Sequence, residues 1–451
     1  MKSRPHGSRR RSRAIQLVAA ATVALFALAG CASTTTSTSS GAFKEVTQDS
    51  KAAITVWVDS TRLPAAQLFK KDNPQDKVNI VTYDGGANGS NSFQTKISLF
   101  DKAGSGWPDV VFSENMTDVG WASSGKTPFA APLNKGIVPS KVLNNFASTA
   151  LDPCTVNGTV YCLRNDLAQN VLWYNKSLFA QFGYAVPTTW QQYEALGAEV
   201  AKQHPGYVLG AIGDSNASET YFWGSQCPAN QLTGSTFSSD TSSPNCTRMA
   251  SLLDNMVANG TISTDAYFTG TSYATTYASK TLAVVGPSWY GQYLFADSLK
   301  VPAGQIAAAD PLTWKGDTSN YTGDVGGGTW YVSSHSKNMA LASKFVQFVT
   351  TADSVQAGAP TYPAYAPAAK AWLANPKNSS YFANNVAPAF KKAADSIWSG
   401  WSSNGLVNQQ NIWSQTVMPQ VLAGKTITST LPAWQKAALQ LAPTVGYTVK
   451  K

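Results

Sequence analysis

Four carboxylates, Asp59, Asp84, Glu114 and Asp166, each follow or precede a run that reads as a β-strand, and the short polar side chains of Ser60 and Asn115 stand beside two of them. A carboxylate at a strand end accepts two hydroxyl hydrogen bonds at once. Such charge-assisted bonds also discriminate, because the wrong stereoisomer leaves a buried polar group unpaired. The same residues serve equally as solvated loop positions or helix caps. The chain carries 14 tryptophans, among them Trp223, Trp289, Trp330, Trp398 and Trp401 at predicted loop edges, while Trp57 lies inside a strand and reads as core. Gly327 and Gly328 precede a strand, where they would either let backbone N–H groups approach a ligand or form a bulge. Rings that stack on C–H patches, together with short groups that take hydroxyls, equip a site for a saccharide. Paired carboxylates among tryptophans also describe a secreted glycoside hydrolase. That is the competing reading, and the carboxylate separation that would decide it is not in the sequence.

The elements that must position these residues alternate. Ile54–Val58 reads as a strand, a helix follows through Phe69, Asn73-Pro74 breaks it, and Val78–Val81 is a second strand. A helix over Phe93–Phe100 and a strand over Asp109–Phe112 continue the pattern. Alternating strands and helices predict open parallel sheets with ligands beyond the carboxyl ends of the strands, the edge where Asp59, Asp84 and Glu114 fall. Val171–Lys176, Thr281–Val285 and Thr329–Val332 read as further strands. Thr189 caps a helix with Glu194 in its early turns, and Met249–Ala258 and Asn338–Val349 read as helices.

The chain has 451 residues, 43% hydrophobic and 13% charged, enough for a sizeable core in two or three domains at roughly 150 residues each, which excludes a disordered chain. The net charge of +9 suggests nucleic acid until its placement is considered. Six basic residues lie before residue 14, and removing them leaves +3, so no nucleic-acid partner is expected. The apolar run Ala14–Ala29 behind that basic stretch reads as a signal peptide over residues 1–30, and Leu28-Ala29-Gly30-Cys31 resembles a bacterial lipobox, in which the Cys31 thiol is lipidated. Residues 31–50 read as a Ser/Thr-rich stretch expected to be a flexible linker. Cys154, Cys162, Cys227 and Cys246 then remain, an even number suited to an oxidising exterior. Proximity favours 154–162 and 227–246 among the three possible pairings. Without CxxC spacing, no metal is expected. Asn157-Gly158 marks a hairpin, and facing Cys154 to Cys162 across it predicts a three-residue turn with Gly158 at positive φ.

The order of Phe69-Lys70-Lys71-Asp72-Asn73-Pro74, Pro108-Asp109-Val110-Val111, Trp173-Tyr174-Asn175-Lys176-Ser177-Leu178-Phe179, Pro187-Thr188-Thr189-Trp190, Gly286-Pro287-Ser288-Trp289 and the Gly326–Gly328 strand with Ser336-Lys337-Asn338 is similar to that of the sugar-binding solute receptors of ABC importers. This family includes maltose-binding protein, and the matching pieces span nearly the whole mature chain. The stretch Cys162-Leu163-Arg164-Asn165-Asp166 departs from the family, which commonly has a proline-containing segment there. The resemblance implies an α/β, two-lobed periplasmic-binding-protein (Venus-flytrap) fold joined by multiple hinge crossovers. The first lobe would hold 51–166 plus 322–370, and the second 167–321 plus 371–451. It also implies a stacking ring at Trp289, with Tyr290 beside it, and ligand contacts from Glu114 and Asp166. Expected partners are a carbohydrate, or another solute in the same clamp, and membrane permease subunits with a cytoplasmic ATPase. The resemblance further implies a monomer without catalytic residues or cofactor, held on the outer face of the plasma membrane by lipid on Cys31.

Overall fold

The computed structural model describes residues 46–83 and 90–450, so Cys31, the leader over 1–30 and Asp84 lie outside the described residues. Ile54–Val58 (β1), with Ile54, Val56 and Val58 fully buried, pairs parallel with Val78–Thr82 (β2) and Val110–Ser113 (β3). Leu63–Asp72 (α1) makes the first crossover. Pro64 sits in its opening turn, where a missing N–H is harmless, Phe69 and Ala66 face the sheet, and Asn73 ends it. Ser90–Ala103 (α2) makes the second crossover, and Asp118–Ala122 (α3) follows β3. Thr329–Val332 joins antiparallel to β3, and Cys162–Arg164 completes the five-stranded sheet.

A second sheet has Asn170–Asn175 at its centre, between Ala283–Pro287 and Ile306–Ala309. Both pairings are antiparallel, which corrects the expectation of open parallel sheets throughout. The reason is burial on both faces: such strands read as continuous apolar runs whichever way their neighbours point. The helices Trp190–Gln203, Pro244–Ala258 and Ile427–Thr444 cover this lobe. Thr189 caps the first of them as expected, but its capping-box partner is Gln192, while Glu194 instead accepts from Asn255. Met339–Thr351 packs on the first sheet.

Three segments run side by side between the sheets. Leu167 N–H donates to Tyr362 O at 2.9 Å, Val325 N–H to Ala168 O at 2.9 Å, and Asn170 N–H to Gly323 O at 3.1 Å. Arg164 ties the first of them to the segment around Asp324 from inside. Its guanidinium bonds Asp324 at 2.9 Å and the carbonyls of Asp166 and Gly326 at 3.0 and 3.1 Å, with the arginine wholly buried. The departure noted at residues 162–166 thus places a buried ion pair at the crossing.

The cysteines pair as 154–162 and 227–246. The turn at Asn157-Gly158 is nevertheless a two-residue one, pairing Thr155 with Val160 and Val156 with Thr159, with both turn residues at positive φ. The three-residue expectation was wrong because Cys162 has already left the hairpin for the main sheet, so the bridge runs diagonally across Cα atoms 5.0 Å apart. Ahead of β1 the chain is docked by Gln48, which bonds Ser336 O and Met339 N–H, inside the stretch assigned to the linker.

Candidate functional site

Asp59, Glu114 and Asp166 converge on a cation that the sequence reading passed over. Arg62 lies between β1 and α1, and its guanidinium stands 3.1 Å from Asp59, 3.6 Å from Glu114 and 3.8 Å from Asp166. Asp59 also accepts the Arg62 backbone N–H at 2.7 Å, so the loop folds back over its own carboxylate. The guanidinium covers the Phe112 ring, 4.4 Å from its centroid, a cation–π contact. Burial works against the charged guanidinium, but the fields of Asp166, Asp59, Tyr293 and Glu114 outweigh it, and its pKa lies above the ordinary value. Among the three carboxylates, Asp166 and Asp59 are 3% and 9% exposed and Glu114 is 33% exposed, so Glu114 presents the most surface.

Asp59 and Asp166 are held by backbone donors. Asp166 accepts Gly328 N–H at 2.9 Å and the Asn165 side chain at 3.1 Å. Gly327, at φ +85°, packs so tightly that a Cβ would stand 2.2 Å from Arg164 and 2.7 Å from Asp166 O. These glycines let the protein approach itself, and Gly328 N–H is directed at Asp166 rather than at solvent. Four residues after Glu114, the wholly buried Asp118 accepts Ser113 Oγ–H at 2.6 Å and Gln94 at 3.0 Å, and burial raises its pKa to about 7. Asn115 spends its side-chain oxygen on Thr117, accepting from N–H at 3.1 Å and Oγ at 2.8 Å, and Ser60 is exposed at the start of its loop.

The second lobe supplies rings. Ser288 anchors the loop after Ala283–Pro287 by donating to Leu167 O at 2.9 Å from its hydroxyl and to Gln169 O at 3.0 Å from its N–H. The Trp289 indole N–H then donates to Val325 O at 2.8 Å, which fixes the ring. It stands half-buried, with Phe268 at 5.6 Å and Tyr293 at 6.2 Å between centroids. Phe268 is 41% exposed, rare for a ring of that size. The Tyr293 hydroxyl is pushed up by burial, with Arg62 opposing and Asp166, Glu114 and Asp59 adding. Tyr293, whose ring neighbours Trp289, thus lies within electrostatic reach of the Arg62 group. Deeper in the second lobe, burial raises Glu219 to about 7 although Gln410 donates to it at 2.8 Å.

The other predicted rings are packed away. Tyr290 is 1% exposed and lies over Gly286, where a Cβ would meet its ring at 2.2 Å. Trp223 and Trp401 stack on each other 5.7 Å apart, and the Trp223 N–H donates to Trp398 O. Trp330 is wholly buried against Phe112 and Phe345. Trp398 is half-buried with its ring over Gly400. None of these four tryptophans joins the Arg62 group among the described contacts. Asp84 falls outside the described residues. A separate groove of about 820 Å³, lined by Asp152, Thr155, Gln231, Trp401, Asn404 and Lys450, includes none of the Arg62 group.

Sequence reasoning missed Arg62, Tyr293 and Phe268. Arg62 carried one signal, its place three residues after Asp59, where a side chain at the start of a helix returns to the loop. Phe268 sits in a polar loop and carried none.

The fold is shared by several solved sugar-binding structures. The ABC transporter associated binding protein from B. animalis subsp. lactis Bl-04, in complex with β-1,6-galactobiose, superposes with a TM-score of 0.71 at 19% identity, covering 89% of this chain and 100% of that one. The galacto-N-biose-/lacto-N-biose I-binding protein from Bifidobacterium longum, in complex with lacto-N-biose, gives 0.72 at 18% over 89% and 100%. The GacH receptor of Streptomyces glaucescens GLA.O, studied with acarbose, gives 0.66 at 18% over 90% and 100%. No curated protein matches the chain by sequence. The family model for bacterial extracellular solute-binding proteins matches residues 54–356, two thirds of the chain. With the two-lobed architecture in agreement, the chain belongs to the bacterial extracellular solute-binding protein family.

Proposed function

We propose that this protein captures a sugar or oligosaccharide between its lobes and delivers it unaltered to the membrane permease of an ABC importer. One observation carries the reading: the Asp59–Arg62–Glu114–Asp166 group lies within electrostatic reach of Tyr293, whose ring packs with Trp289 and, through it, the exposed Phe268. Carboxylates orient hydroxyls while rings cover C–H faces. The saccharides bound by the three structural relatives support the ligand class. Ser60 and Asn115 border the charged side in this reading.

We place the lobe limits at 51–166 with 322–370 and at 167–321 with 371–451, hinged on the three segments that cross beside Arg164 and Asp324. The lobes sample closure, and a ligand touching both faces stabilises the closed form by its differential affinity. A micromolar Kd needs about −8 kcal/mol, within reach of a few stacked rings and several hydrogen bonds. Lipid on Cys31 would hold the monomer outside the cell, beside a permease driven by a cytoplasmic ATPase. No covalent step is required, and no residue is assigned a catalytic role.

Thermal-shift screening of a soluble form starting at about residue 45 tests the ligand class, since a solute that binds only the folded state raises the Tm. Mono- or oligosaccharides should raise it; no shift with them and a clear shift with another solute class would refute the sugar reading. Incubation with reducing-end-labelled oligosaccharides should return them intact, and turnover would favour the hydrolase.

A further inference from the structure

We infer that the cleft sorts saccharides by charge: a sugar carrying a protonated amine binds more tightly than its N-acetylated counterpart, and a sugar carrying a carboxylate or phosphate is turned away. This rests on the saccharide-binding reading and names the substrate class more narrowly.

Asp59, Glu114 and Asp166 surround the single guanidinium of Arg62, so the group carries a formal charge of −2. The groups whose fields reach both Arg62 and Tyr293 are these same carboxylates, and no second cation is among them in the described residues. An anionic sugar would ordinarily seek an arginine, but Arg62 is already 3.1 Å from Asp59, 89% covered and flanked by two further carboxylates. Recruiting it would break a desolvated pair while bringing another negative charge to an already negative site. The opposite wall favours cations independently. Trp289, Phe268 and Tyr293 offer aromatic faces, which attract an ammonium as well as C–H groups. Asp214, which accepts Tyr267 N–H at 2.6 Å behind that wall, adds a further acidic group on the second lobe.

The size of the effect follows from the charge count. Two net charges about 6 Å from an ammonium change its affinity by about tenfold even at the dielectric constant of water. The probes are glucosamine and N-acetylglucosamine, galactosamine and N-acetylgalactosamine, the chitosan dimer and N,N′-diacetylchitobiose, glucuronic acid and glucose 6-phosphate. All are titrated calorimetrically at pH 6.5 alongside the neutral saccharides of the thermal screen. Expected is at least one amine about tenfold tighter than its N-acetylated partner, no acidic sugar matching its neutral parent, and an advantage that shrinks with added salt. In Glu114→Gln, which removes one of the two net charges, the amine advantage should fall to about threefold. Neutral saccharides that bind while no amine exceeds its N-acetylated partner would overturn the inference and leave the saccharide reading standing. Tight binding of an acidic sugar would overturn it in the same way. Failure of every sugar would remove both.

Discussion

Replacing Arg62 by methionine tests whether the carboxylate group is held together as its geometry indicates. The guanidinium stands 3.1, 3.6 and 3.8 Å from three carboxylates. At an effective dielectric constant of 20 each contact carries about 4–5 kcal/mol of gross attraction, most of which offsets the desolvation of the charges. Removing one partner of such a set leaves the others buried and uncompensated, a loss of about 3–5 kcal/mol. Glu114 is one-third exposed and can turn toward water, and Asp166 keeps its donors on Gly328 and Asn165, so the lower end, about 3 kcal/mol, is expected. Methionine preserves the apolar stem over Phe112, which limits the cavity contribution. Urea denaturation followed by tryptophan fluorescence measures the loss. A loss under about 1 kcal/mol would refute the argument.

Trp289→Ala should weaken saccharide binding at least about fivefold, the scale of one lost stacking platform, and unchanged affinity in calorimetry would remove it from the site. Asp118 has its folded pKa raised by burial to about 7 from an unfolded 3.8, so the wild type loses stability as pH rises between those values, by up to about 4 kcal/mol. Asp118→Asn, which can accept from Gln94 and donate to Ser113, should lack that slope, and a stability difference independent of pH would contradict it. The paired change Cys227→Ser with Cys246→Ser opens a 19-residue span and should lower unfolding free energy by about 3 kcal/mol, against about 2.5 for the 8-residue span of 154–162, both read by urea titration.

Local pattern placed much of this molecule. The β-branched run at Ile54–Val58, the Asn73-Pro74 stop and the Thr189 cap lie where side-chain periodicity, proline and capping chemistry put them. Asp59, Glu114 and Asp166 come together because each stands just past or between strands of the first sheet, an edge that alternating strands and helices make predictable. What failed to show was long-range. Strand direction in the second sheet depends on where the chain re-enters, which no local run encodes. The two-residue turn at Asn157-Gly158 hid behind the disulfide, because Cys162 belongs to the main sheet rather than the hairpin. Ring presentation was hardest. Trp289 and Trp223 look alike in sequence, yet one is pinned beside exposed Phe268 and the other is sealed against Trp401. Only packing decides which face is left over.

Hydrogen–deuterium exchange with and without a saccharide found in the thermal screen tests the central claim most directly, since it reports backbone amides on both sides of the cleft at once. Slower exchange is predicted together at residues 59–63 and 113–118 of the charged wall and at 288–293 of the aromatic wall. Protection confined to one wall, or appearing only around the groove lined by Asp152 and Trp401, would contradict capture between the Arg62 group and the Trp289 rings.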